Sequence, residues 1–130
     1  MPVRSGRSVL RSAWLAILLL VVGVAIASPS NKWRLEVSSD ADSDGEVVVR
    51  ISPVGGTAID VRIAIPDDTS ENHIADLISN GLKAELGDMY HVEVDDGEDV
   101  LIKKHHDGAD FEVAIVELTV EGTHIHIDRE

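Results

Sequence analysis

Apolar residues at every second position predict the strands of this chain. The alternation runs from Trp33 to Val37, again from Val47 to Ile51, and then from Ile59 to Ile65. After residue 88, four further apolar runs are separated by short turns: YHVEV, VLIKK, FEVAIVELTV and THIHI. A period of two residues places the apolar side chains on one face of each strand, so the pattern predicts an antiparallel, sheet-rich domain.

Turn residues between neighbouring runs predict how the strands pair. The acidic connection from Ser38 to Glu46 favours a hairpin in which Val37 lies opposite Val47. That register sets Arg34 against Arg50, a repulsion that Asp60 on the third strand would relieve. The Gly-containing turns among the last four runs predict hairpins there too, including a tight turn at Glu121-Gly122.

One segment has the period of a helix. Four apolar residues spaced four apart, from Ile74 to Leu86, form a stripe that predicts an amphipathic helix over about 69–86. Asp68 is the predicted N-cap and Gly87 the predicted C-cap, while Gly81 either weakens the helix or lets it approach the sheet. The predicted fold is α+β, in the order β-β-β-α-β-β-β-β, with the helix packed on one sheet face.

The N-terminal segment predicts export. Residues 1–12 are basic and residues 13–27 are apolar, ending in a small-x-small site at Ala25 and Ala27 before Ser28. We interpret residues 1–27 as a cleaved Sec-type signal helix and residues 28–130 as a single small acidic domain, periplasmic or extracellular. An uncleaved anchor is the alternative, and only that alternative would attach the protein to a membrane.

Charge narrows the choice of partners. From residue 28 onward, eight Lys and Arg stand against 24 Asp and Glu, a net charge of about −16. Such a surface repels nucleic acid and favours cations or basic protein patches, although acidity also serves solubility alone. The one basic cluster, residues 103–106, could contact an acidic partner or form a solvated turn. The chain has no Cys, which excludes thiol catalysis and thiolate metal sites.

The acidic connection is the first candidate metal site. Asp40, Asp42, Asp44 and Glu46 supply closely spaced carboxylates, the oxygen ligands that calcium takes. The position that closes an EF-hand loop with Glu is occupied by Ile51, and strands flank the loop, so it is not an EF-hand. The remaining alternatives are a strand-flanked calcium turn, completed by a distant acid, and a solvated turn.

The last predicted strand carries the second candidate site. His124 and His126 lie two residues apart and therefore project from one face of the strand. A hairpin through Glu121-Gly122 would set His126 opposite Glu117, giving ligands for zinc, copper or nickel. The alternative is a polar exterior face on which the histidines pair with acids.

No sequence motif of a hydrolase nucleophile, a zinc protease or a phosphate-binding loop is present. The sequence therefore favours a small exported, non-enzymatic binding or structural module of the bacterial envelope or secretome that acts through a protein partner. A divalent-cation binding protein, with calcium or zinc, is the alternative, and a small hydrolase or hydrolase inhibitor is a further one. The run 111–120 is apolar on both faces, which leaves a homo-oligomer open.

Overall fold

A computed structural model describes residues 28–130 of the protein, and the predicted element order is confirmed. The signal segment predicted for residues 1–27 lies outside the described residues, and Ser28 is exposed. Within residues 28–130, one α-helix, α1, stands between the third and fourth strands, followed by a short 3₁₀ turn. The elements are β1 (Lys32–Ser38), β2 (Gly45–Pro53), β3 (Ile59–Ile65), α1 (Glu71–Leu86), the 3₁₀ turn (Gly87–Met89), β4 (Tyr90–Asp95), β5 (Asp99–Lys104), β6 (Phe111–Leu118) and β7 (His124–Arg129).

The strands form two antiparallel sheets. One has the order β4-β5-β1-β7 and the other the order β3-β2-β6. The β2–β3 hairpin is present, with Arg50 opposite Asp60, and so is the β4–β5 hairpin. Alternating apolar residues from both sheets then meet in one core.

Two predicted pairings are wrong. β1 and β2 lie in different sheets, so Val37 faces Ile125 of β7 rather than Val47. β6 pairs with β2, and β7 pairs with β1, so the turn at Gly122 does not close a hairpin. In both cases the connection crosses between the sheets, held by backbone hydrogen bonds such as that from the Asp42 N–H to the Glu121 carbonyl, at 2.8 Å.

α1 begins later than predicted and ends where predicted. Its N-cap is Ser70, whose hydroxyl accepts a hydrogen bond from the His73 N–H at 3.3 Å, whereas Asp68 precedes the helix with a φ of 64°. Gly87 is the C-cap, as predicted. The helix packs against β3 of one sheet and against β4, β5 and β1 of the other, so it closes one side of the core.

A β-bulge explains the two apolar faces of the β6 run. The register against β2 shifts between Val48 and Val49, which leaves Val116 as the extra residue. Because of this shift, Ile115 and Leu118 both pack against the core, although they are three positions apart. The outer face is left with the exposed side chains of Ala114 and Val116.

Aromatic residues join the two sheets. The Trp33 indole N–H on β1 donates to the Phe111 carbonyl on β6 at 2.8 Å, and both residues are buried. The ring of Phe111 meets the ring of Tyr90 edge-on, with centroids 4.8 Å apart. Burial raises the pKa of the Tyr90 phenol. Trp33, Phe111 and Tyr90 therefore fix the position of β6 against β1 and β4.

Candidate functional site

The acidic connection between β1 and β2 is bound to the chain segment that precedes α1. A carboxylate oxygen of Asp44 accepts the Asp67 N–H at 2.8 Å, and one of Asp40 accepts the Glu71 N–H at 3.0 Å. The Ala41 N–H donates to the Thr69 carbonyl at 2.8 Å. These hydrogen bonds make the connection a structural junction that satisfies backbone donors at the start of the helix and just before it.

The other two predicted calcium ligands lie in different surroundings. Asp42 lies against Gly122, since a side chain added to that glycine would meet the Asp42 carboxylate. Glu46 accepts a hydrogen bond from Arg62, which raises the pKa of the Arg62 guanidinium. Calcium at Asp40, Asp42, Asp44 and Glu46 stays a prediction, and the structure gives three of these four carboxylates other hydrogen-bond partners.

The predicted grouping of His124, His126 and Glu117 is wrong because its hairpin does not exist. Glu117 on β6 lies opposite Val48, and its carboxylate is 3.6 Å from the Arg62 guanidinium. On β7, His126 lies opposite Glu36 of β1, and its Nε2 is 3.1 Å from a carboxylate oxygen of Asp128. Both histidines are exposed on the edge strand of the four-stranded sheet.

The outer face of the four-stranded sheet instead carries a row of acids. Asp95 of β4 lies opposite Asp99 of β5, and Asp99 lies opposite Glu36 of β1. We call these three residues the acidic row. Like charges opposite each other on neighbouring strands repel, so this arrangement requires a compensating cation.

Arg34 supplies part of that compensation. Its Nη1 contacts Asp95 Oδ2 at 3.3 Å and also donates to Asp99 Oδ2, while its Nη2 lies 3.1 Å from Glu130 Oε1. The hydrogen bonds to Glu130 and Asp99 raise the pKa of Arg34, so the guanidinium stays charged. In turn, the hydrogen bond from Arg34 lowers the pKa of Glu130.

Asp99 is the buried member of the acidic row. Its side chain is 8% exposed, and its Oδ1 atom is buried without a hydrogen-bond partner. Asp95, Asp96 and Asp99 each offer a carboxylate oxygen within 4.8 Å of those of the other two. Among the described residues, this is the one group of three or more acids or histidines with ligand atoms so close together.

Sequence reasoning overlooked Asp95, Asp96 and Asp99, although all three lie in the predicted β4–β5 hairpin. The β4–β5 hairpin alone would have placed Asp95 opposite Asp99. The positions of Arg34 and Glu36 beside Asp99 follow only from the pairing of β1 with β5.

The opposite end of β4 and β5 bears the basic cluster. Lys103, Lys104, His105 and His106 line an open cleft of about 630 Å³ together with His91 and Asn31. Lys104 Nζ donates to the Gly108 carbonyl at 2.9 Å, which holds the β5–β6 loop in place. A second cleft of about 570 Å³ lies beside it, with Met89, Tyr90 and Ile59 in its lining. We call the surface around these two clefts the loop end.

The chain matches no protein-family model, and a search of curated proteins gives no match either. None of the helices in the region 28–130 is long and apolar enough to cross a membrane.

Proposed function

We propose that the protein is a small exported, non-enzymatic binding module of the bacterial envelope or secretome, which acts through protein contact at the loop end. The observation that carries this proposal is the distribution of charge and exposed apolar groups. Two of the eight Lys and Arg from residue 28 onward, and three of the six His, line one cleft of an otherwise acidic domain. The two lysines and the hydrogen-bonding imidazoles favour an acidic partner surface.

The loop end also exposes large apolar side chains, which the proposed partner would cover. Val54 and Met89 are 57% and 53% exposed, and the next large apolar residue among those described, Val116, is 43% exposed. Met89 lines the second cleft, and the Val54 N–H donates to the carbonyl of Asp110 in the β5–β6 loop. The second cleft also has Asp88, Lys104 and Asp107 in its lining. A flexible methionine within such a polar rim suits a protein contact, because an apolar centre with a polar rim is typical of such surfaces.

The test compares surface variants in binding to envelope and culture-fluid proteins of the source bacterium. Met89→Asp and Lys103→Glu change the loop end, and Lys83→Glu places the same charge change on the exposed side of α1. We expect one partner to be retained by the wild-type protein and by Lys83→Glu. Each loop-end variant should retain about tenfold less of it, a change that corresponds to about 1.4 kcal/mol.

Equal retention by all variants, or no saturable partner at all, would contradict the proposal. The non-enzymatic part has its own test, in which the repurified protein is incubated with a broad panel of hydrolase substrates. Turnover that survives repurification would show that the protein is an enzyme.

A further inference from the structure

The acidic row holds more negative charge than its one arginine balances. Three carboxylates contact Arg34, those of Asp95, Asp99 and Glu130. Asp96 lies beside Asp95 and Asp99, and Glu36 lies opposite Asp99 on the neighbouring strand. Asp99 therefore has an acid on each side, across both β4 and β1. Repulsion between directly opposed acids disfavours this arrangement unless a further positive charge is bound.

The buried oxygen of Asp99 points to the same conclusion independently. Arg34 contacts Oδ2 of Asp99 and Oδ2 of Asp95, whereas Oδ1 of Asp99 is buried and has no donor. Buried carboxylate oxygens in native proteins nearly always have a partner, and an ordered water or a bound ion supplies one where the protein does not. The side chain is more than nine-tenths buried, so bulk solvent does not replace that partner.

We propose that Asp95, Asp96 and Asp99 bind a divalent cation, calcium, at the turn between β4 and β5. Calcium–oxygen distances are about 2.3–2.6 Å, so ligands on opposite sides of the ion lie roughly 5 Å apart. The three carboxylate oxygens all lie within 4.8 Å of one another, close enough to reach one ion. Water molecules complete the coordination shell of the calcium ion on its exposed side, where Asp96 lies.

The chemistry of the ligands selects calcium over other metals. The three side chains offer carboxylate oxygens and no imidazole, which disfavours zinc and copper. Magnesium requires near-ideal octahedral geometry and keeps most of its water, whereas calcium accepts irregular oxygen sets. Arg34 acts as a positioning residue, because its contacts to the two Oδ2 atoms hold the carboxylates of Asp95 and Asp99 side by side.

The cation site is independent of the loop end. Asp99 begins β5 and Lys104 ends it, so the two surfaces are about 17 Å apart along the strand. Changes at Met89 or Lys103 therefore leave the cation site intact, and either proposal can fail without the other.

The experiment uses protein purified after expression of the full chain, first stripped with chelator. Thermal unfolding is followed in chelator, in 10 mM CaCl₂, in 10 mM MgCl₂ and in NaCl of matched ionic strength, and calcium binding is measured by calorimetry. A site of the strength typical of extracellular modules has a Kd of about 10⁻⁴–10⁻³ M. At that affinity, calcium should raise Tm by about 5 °C or more, with one ion bound per chain.

Variants locate the ion. Asp96→Asn removes an exposed ligand, and Asp99→Asn removes the buried one. For each variant, Tm in calcium is compared with Tm of the same variant in chelator, so that a loss of stability does not hide the effect of calcium. Asp107→Asn, in the β5–β6 loop, removes the same charge elsewhere, and Asp42→Asn tests the acidic connection between β1 and β2. We expect the first two variants to lose at least about tenfold in calcium affinity and the last two to keep it.

Three results would overturn the proposal. One is an equal rise in Tm with calcium and with matched NaCl, which would mean general screening of an acidic protein. Another is undiminished calcium affinity in both Asp96→Asn and Asp99→Asn. The third is loss of binding in Asp42→Asn alone, which would move the ion to the acidic connection.

Discussion

At the scale of single residues, the start of α1 shows how backbone geometry decides which of several suitable residues is the N-cap. Residues 67–70, Asp-Asp-Thr-Ser, are all good N-cap types. Asp68 has positive φ, outside the extended backbone of an N-cap, whereas Ser70 is extended, with φ −69° and ψ 156°. The Asp40 carboxylate also accepts the Glu71 N–H, so a residue 31 positions before Glu71 completes the cap.

Replacing Ser70 by Ala should lower the free energy of unfolding by about 1 kcal/mol, because the His73 N–H loses its acceptor. Asp68→Gly should be neutral or slightly stabilising, since glycine adopts positive φ without strain. Urea denaturation measures both changes. If Asp68→Gly lowers the free energy of unfolding more than Ser70→Ala does, Asp68 and not Ser70 is the residue that caps the helix.

The Arg50–Asp60 pair predicts a pH dependence. Arg50 Nε and Nη2 donate to the two oxygens of Asp60 at 2.7 and 3.0 Å, and these hydrogen bonds lower the pKa of Asp60. Because the folded-state pKa lies below the unfolded value of about 3.9, the pair stabilises fully above that pH. Its contribution is lost as pH falls through the folded-state pKa.

Asp60→Asn should therefore lower the free energy of unfolding at pH 7, and its difference from the wild type should shrink between about pH 5 and pH 2.5. Asp107→Asn is the control, because the described residues show no ion pair for Asp107. Chemical denaturation at a series of pH values measures the effect. A difference that stays constant down to about pH 2.5 would refute the assigned cause.

At the scale of elements, the sequence predicted each strand better than it predicted the strand's neighbours. Alternation reports which side chains are buried, and the burial of Trp33, Leu35 and Val37 agrees with it. It does not report which strand lies alongside, so the β1–β2 and β6–β7 hairpins were predicted from their turns and were wrong. Their connections are held by hydrogen bonds to residues distant in sequence, as when the Glu121 N–H donates to Ser43 Oγ.

The close contact between α1 and β3 at Gly81 predicts that an alanine there destabilises the protein, although alanine has the higher helix propensity. A Cβ atom at Gly81 would lie 2.7 Å from Ile63 Cγ1, so this glycine permits the close approach that the sequence indicated. Gly81→Ala should destabilise the protein by about 1–3 kcal/mol through overpacking, despite the gain of about 1 kcal/mol in propensity. Thermal or urea unfolding decides the sign of the change.

Asn80→Ala, at the preceding exposed position of α1, is the matched control and should be neutral or stabilising by up to about 0.7 kcal/mol. If both variants are stabilised, the close contact between Gly81 and Ile63 has no energetic weight.

At the scale of the whole molecule, charge is polarised along β4 and β5. Their turn carries Asp95, Asp96 and Asp99, and their other ends carry His91 and Lys103. The sequence predicted the net acidity and the basic cluster. It could not predict the acidic row, because that row requires β1 beside β5, two strands separated by β2, β3, α1 and β4.

Export remains a prediction, and the mass of the intact recovered protein tests it. We expect the recovered protein to begin at Ser28 and to contain 103 of the 130 residues, after removal of residues 1–27. Mass spectrometry of the protein from culture fluid or periplasm gives this directly. A mass that corresponds to all residues would indicate the uncleaved anchor instead.

The central place of β1 in its sheet has a consequence for when the domain folds. β1 is the first strand of the described chain, yet its neighbours begin at Asp99 and His124. The four-stranded sheet is therefore incomplete until residues 124–129 pair with β1. A contact order dominated by such distant pairings slows folding. Until β7 pairs with it, β1 has one unpaired edge, and the core lacks Ile125 and Ile127. If the protein is exported as predicted, this topology leaves the four-stranded sheet incomplete until residues 124–129 have crossed the membrane.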